Sequence, residues 1–153
     1  MLSQIVSALG IFIIGIGTFV RVVPDLDRPV RRGFYQNAPV TRDLFEIRKE
    51  IKQSDKGTRF TIENRRVSRE FIDYVDAHDI QEPPNCLPKR IKNVAAEIQV
   101  EYENGGNGIY LRGTRAQQTL VELLTLSIER SCRNSGLSIA LVGTLIAISG
   151  TLL

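Results

Sequence analysis

The sequence predicts a small α+β domain held between two transmembrane α-helices, in the order transmembrane helix, helix, strand, helix, two strands, helix, transmembrane helix. Three observations carry that expectation. Every ionisable side chain lies between Arg21 and Arg133, leaving uncharged apolar runs of 19 residues (Leu2 to Val20) and 18 residues (Gly136 to Leu153) at the two ends. At 1.5 Å per residue, each run spans about 27–28 Å, close to the roughly 30 Å hydrocarbon core of a bilayer. Between them, Val94 to Glu103 alternates strictly and runs into Asn104-Gly105-Gly106-Asn107-Gly108, the residue types a hairpin turn needs. The expected division is a first span over 1–23, a basic proline-containing linker over 24–40, a polar domain over 41–133 and a second span over 134–153.

The first span ends at Val23-Pro24-Asp25, because proline drives the residue before it out of the helical region. A cleaved signal peptide fits this segment less well. Its first residues carry no Lys or Arg, and its apolar run exceeds the usual 7–15 residues. Pro24, Pro29 and Pro39, with Arg28, Arg31 and Arg32, then read as an irregular linker. Thr41 to Gln53 reads as a helix with Leu44, Phe45, Ile47 and Ile51 on its apolar side, stopped by Ser54-Asp55-Lys56-Gly57.

Arg59 to Glu63 alternates as a short strand. Ser68 is placed to cap a helix through about His78, with Phe71, Ile72 and Val75 inward, and Pro83, Pro84 and Pro88 interrupt the chain beyond it. In the Val94–Glu103 strand, Val94, Ala96, Ile98, Val100 and Tyr102 share one face and Glu97, Gln99, Glu101 and Glu103 the other, an acidic face expected to be wet. Ile109 to Arg112 returns as its partner. Thr114-x-x-Gln117 is a capping-box pattern opening a helix through about Cys132. Leu120, Leu123, Leu124 and Ile128 lie opposite a polar stripe of Gln118, Glu122, Thr125, Glu129 and Arg133. Asn134-Ser135-Gly136 fits either a break or a continuous crossing into the second span.

Small residues recur within the spans. Gly136, Ala140, Gly143, Ala147 and Gly150 are spaced 4, 3, 4, 3, and Ser3, Ser7, Gly10, Ile14 and Gly17 keep the same spacing with Ile14 as the exception. Such a register lets membrane helices approach closely, so these positions are the candidate helix-packing residues. Their partner is either the other span or a helix of another protein or copy. Arg21, Arg28, Arg31, Arg32, Arg130 and Arg133 flank the inner ends of the spans, while the outer flanks lack Lys and Arg. They are the candidate membrane-surface residues, and by the positive-inside rule they place the domain on the cytoplasmic, matrix or stromal side with both termini opposite.

Reaction chemistry has thin support. Asp73, Asp76, His78 and Cys86 form the one set with metal-ligating side chains, Asp73 and Asp76 sharing a helix face. The spacing fits no zinc motif and His78 is the single histidine, so a solvated helix end is preferred and neither metal nor cofactor is assigned. Cys86 near His78 in sequence is not a nucleophile–base pair without an environment that stabilises a thiolate. The basic groups Arg65-Arg66-Arg69 and Lys89-Arg90-Lys92 are interspersed with acids, and the net charge is only +3, which disfavours nucleic acid. The expected function is a non-enzymatic anchoring or interaction subunit of a membrane complex. A membrane-tethered enzyme or metal-binding domain and a cytoplasmic lipid or nucleic-acid sensor are the alternatives. The expected partners are the bilayer and a protein, or a second copy, met through the transmembrane helices.

Overall fold

The computed structural model describes residues 2–53, 59–77, 86–94, 97–112 and 115–152. Among these are five α-helices and one four-stranded antiparallel sheet. The helices are α1 (Leu2–Val22), α2 (Arg28–Asn37), α3 (Arg42–Gln53), α4 (Arg65–Ala77) and α5 (Ala116–Leu152); the strands are β1 (Thr61–Ile62), β2 (Pro88–Val94), β3 (Glu97–Tyr102) and β4 (Asn107–Arg112). The chain divides into two compact units: residues 1–43 with 128–153, and residues 44–127.

The first unit holds α1, α2 and the C-terminal part of α5. The helix α1 stops where Pro24 enters a 3-10 turn over Val23–Asp25. Beyond that turn lies a helix, not the irregular linker expected from three prolines. Pro29 sits in the first turn of α2, where its missing N–H and fixed φ do no harm, and Pro39 lies just past the helix end. Beyond α2, the buried Thr41 hydroxyl donates to the Tyr35 carbonyl at 3.2 Å. No break occurs at Asn134-Ser135-Gly136: α5 runs unbroken for 37 residues.

The second unit is a sheet in the order β1-β2-β3-β4 with helices on its apolar face. Cross-strand pairs Ile91↔Val100 and Asn93↔Ile98 put buried side chains of β2 and β3 on one face. Helix α4 packs on β2, and Phe71 meets Tyr110 of β4 edge-to-face, ring centroids 5.8 Å apart. A bulge in β4 sets Tyr110 between the Ile98↔Leu111 and Gln99↔Ile109 pairs, and Gly108 makes room for its ring: a Cβ there would lie 2.8 Å from Tyr110 Cε2. From α3, Leu44, Phe45 and Ile51 are buried and Ile47 half-buried; from α5, Ala116, Leu120, Leu123 and Leu124 are buried. The Gln117 amide donates to the Ile51 carbonyl at 2.7 Å, satisfying an acceptor that the end of α3 leaves open.

Two expectations are corrected by these elements. Helix α4 begins before Ser68: the Asn64 side chain accepts from the Val67 N–H at 3.2 Å, while the Ser68 hydroxyl bonds back to the Asn64 carbonyl. The strand expected over Val94–Glu103 belongs to two strands, since Val94 ends β2 and β3 begins at Glu97. Period-2 alternation holds its phase through Ala95-Ala96, which carries none of the usual turn residues, so the reversal leaves no trace in the pattern. The expected stop at Ser54 to Gly57, the prolines 83 and 84, and Thr114 lie outside the described residues.

Candidate functional site

In the first unit, α1 and the C-terminal part of α5 run antiparallel with their small residues face to face. Ser3 and Ser7 meet Gly150, Gly10 meets Ala147, Ile14 meets Gly143, Gly17 meets Ala140, and Arg21 backbone meets Gly136. The approach is close enough to require glycine. A Cβ on Gly10 would fall 2.4 Å from the Ala147 backbone nitrogen, and one on Gly143 would fall 2.7 Å from that of Ile14. The Ser7 hydroxyl donates across the seam to the Ala147 carbonyl at 3.4 Å. Gly15, out of register with the small-residue spacing, faces open space.

The outer faces of the pair are apolar and bare. Both helices are long and apolar enough to cross a membrane, yet only 17% of each apolar window is buried, whereas a core helix of a water-soluble fold would be mostly covered. Phe12, Leu141 and Leu145 are more than half exposed. Hydroxyls on these outer faces are closed internally: Thr18 donates to the Ile14 carbonyl at 2.9 Å, Thr144 to Ala140 at 2.9 Å and Ser149 to Leu145 at 2.8 Å.

The arginines sit at one end of this unit. Arg21 occupies the last turn of α1, where it complements the helix dipole. Arg28 and Arg32 on α2 and Arg130 on α5 are exposed. Arg31 on α2 is half-buried and donates to the Pro24 carbonyl at 3.0 Å, and Arg133 reaches Asp25 at 3.3 Å. The three prolines of this stretch conceal the two-sidedness of α2. The signal is present in the sequence as Val30 and Phe34 one turn apart, against Arg28 and Arg32 one turn apart.

In the second unit, the sheet face expected to be wet and acidic is a network of ion pairs. Glu101 accepts from Arg90 at 2.9 Å and from Lys92, and Arg90 also reaches Glu63 at 3.1 Å. The Glu101 side chain is only 12% exposed. Hydrogen bonds from Lys92 and then Arg90 hold its carboxyl below the ordinary glutamate range, and Glu101 in turn raises Arg90. A groove of about 380 Å³ lies between α4 and the start of β2, lined by Arg65, Arg66 and Arg69 and by Glu70, Asp73 and Glu103. Its charges largely close on one another, Arg65 on Glu103 at 2.8 Å and Arg66 on Glu70 at 3.0 Å.

Of the metal candidates, Asp73 is exposed on α4 and Cys86 is a half-buried free thiol, while the Asp76 side chain and His78 lie outside the described residues. Among the described residues no group of three or more His, Cys, Asp or Glu side chains is placed to hold a metal ion. Cys132 is also free and fully buried. No protein-family model, curated protein or solved structure matches the chain.

Proposed function

We propose that this chain is a two-pass integral membrane protein that works without catalysis, its helical hairpin anchoring the 44–127 domain as an interaction module in a membrane complex. The observation that carries this reading is the bare apolar exterior of the hairpin, with only 17% of each span's apolar window buried. Bilayer lipid is the solvent that such a surface suits, since the exposed hydroxyls already have helical carbonyl partners and need none from water. The ion pairs of the domain favour a display role, because its Arg65, Arg66, Arg90 and Lys92 are engaged by its own carboxylates. The six arginines at the inner ends of the spans orient the domain toward the cytoplasm, matrix or stroma.

Three measurements test this. Alkaline carbonate should leave the protein in the membrane pellet; release into the supernatant would overturn the anchor. Cys86 should react with a membrane-impermeant maleimide only after the membrane is opened, while the buried Cys132 stays silent. Labelling of Cys86 in intact cells would reverse the orientation. Native mass spectrometry after gentle solubilisation should show a stoichiometric protein partner, and a bare monomer would remove the subunit role.

A further inference from the structure

Arg28 and Arg32 lie one turn apart on α2, both exposed. Among the described residues the ion pairs of this unit are Arg42–Asp43 and Arg133–Asp25, so neither of these two arginines has a carboxylate partner there. Like charges at this spacing repel along the helix. About 160° around α2 from this pair are Val30, half exposed, and Phe34. The Phe34 ring stands edge-on to Phe19 of α1, centroids 6.2 Å apart, and Phe19 is itself about half exposed. Phe19 is three residues, about 4.5 Å of helix rise, from the last residue of α1. The apolar side of α2 is therefore continuous with the outer surface of the hairpin, at the end of the span. Arg31 pins the helix there through the Pro24 carbonyl.

We propose that α2 is an interfacial helix lying in the plane of the membrane surface. Val30 and Phe34 enter the acyl boundary, and Arg28 and Arg32 hold the phosphodiester headgroups of anionic phospholipid. This rests on the two-span reading above. The geometry is that of an amphipathic segment whose apolar side sinks about 5–10 Å while its basic side stays at headgroup depth. Two unpaired guanidiniums one turn apart present forked donors to the phosphate oxygens, and their mutual repulsion is relieved when anionic lipid is present.

The chain contains no Trp, so single tryptophans report depth without background. Val30→Trp reports α2, and Phe12→Trp, on the outer face of the first span, reports the hairpin itself. In the full chain reconstituted into vesicles, Phe12→Trp should be quenched by lipids brominated deep in the acyl chain, and Val30→Trp by lipids brominated near the headgroup. With a minority of brominated lipid, phosphatidylglycerol should quench Val30→Trp as if enriched about fivefold over phosphatidylcholine, the ratio that one engaged juxtamembrane arginine supplies. Adding Arg28→Gln and Arg32→Gln should erase that preference while leaving the deep quenching of Phe12→Trp intact. If Phe12→Trp is quenched and Val30→Trp is not, α2 does not lie in the interface and the inference falls while the spans stand. Equal quenching by the two headgroup classes removes the anionic-lipid recognition. If neither tryptophan is quenched, the two-span reading fails, and this inference with it.

Discussion

Replacing Gly143 by alanine adds one methyl group where α1 leaves no room for it. The new Cβ would sit 2.7 Å from the Ile14 nitrogen and 2.8 Å from the Gly10 carbonyl oxygen, both backbone atoms that cannot rotate away. Ordinary van der Waals contact begins near 3.4 Å, so the helices must part by about 0.7 Å at this point. A gap of that size forfeits roughly a quarter to a half of each dispersion well it opens. Overpacking of this kind costs about 1–3 kcal/mol. Gly15→Ala is the matched control, since its methyl enters open space and both substitutions carry the same change in helix propensity. The difference between the two variants is therefore packing alone. It should appear as a fall of about 5- to 150-fold in the folding equilibrium of Gly143→Ala relative to Gly15→Ala, read by titrating the detergent-solubilised chain with denaturing detergent. Equal midpoints would refute the reasoning. Loss of a co-purifying partner with an unchanged midpoint would assign the seam to another protein's helix, and would refute the intramolecular contact.

Glu101→Gln should destabilise the 44–127 domain, because it leaves Arg90 and Lys92 without their shared carboxylate. The folded-state pKa of Glu101 is lowered, so its contribution is complete above the ordinary glutamate value of about 4.3 and is lost as pH falls through the folded value. Wild type should therefore lose urea resistance on acidification more steeply than Glu101→Gln, and parallel curves would discount the network. Asn64→Ala removes the acceptor of the Val67 N–H and should cost the domain about 1 kcal/mol in urea unfolding. An unchanged midpoint would mean that water replaces the cap.

How much of the fold is legible in the sequence depends on the range of the interaction that decides each element. The helices facing the domain core are legible because burial repeats every three or four residues: Leu120, Leu123 and Leu124 form an apolar stripe and are buried. The β3–β4 hairpin is legible because Gly105 takes φ +81°, a conformation that favours glycine. Strand β2 is not. It carries Lys89, Arg90 and Lys92, and the cover over Arg90 and Lys92 depends on Glu101 of the neighbouring strand; its inward positions include the polar Asn93. Nothing local says that this basic segment is covered. The same long-range pairing turns the face of β3 expected to be wet into a network of ion pairs. Helix α2 is obscured for another reason: three prolines flag a linker, but a proline in the first helical turn starts a helix rather than breaking it.

The seam also bears on which surface is left for a partner. Small residues at a membrane-helix interface act by letting two backbones approach, and each such face serves one neighbour at a time. With Gly10, Gly17, Gly136, Gly143 and Gly150 all turned toward the opposite helix of the same chain, that register is occupied. A further helix would meet the outer faces, where Phe12, Leu141 and Leu145 project. Lipid tails are as apolar as these side chains, so their burial against another helix gains little over burial in the bilayer. Gly15 is the one glycine of these two helices on the outside, beside Ala8, Thr18, Ser138, Thr144 and Ser149, and a lone glycine makes no repeating glycine register. On the proposed reading, then, the hairpin supplies attachment and orientation, and discrimination between protein partners falls to the 44–127 domain. That separates two classes of variant: changes at Gly143 should lower the stability of the anchor, whereas changes on the exposed surface of the domain should release the partner and leave the anchor intact.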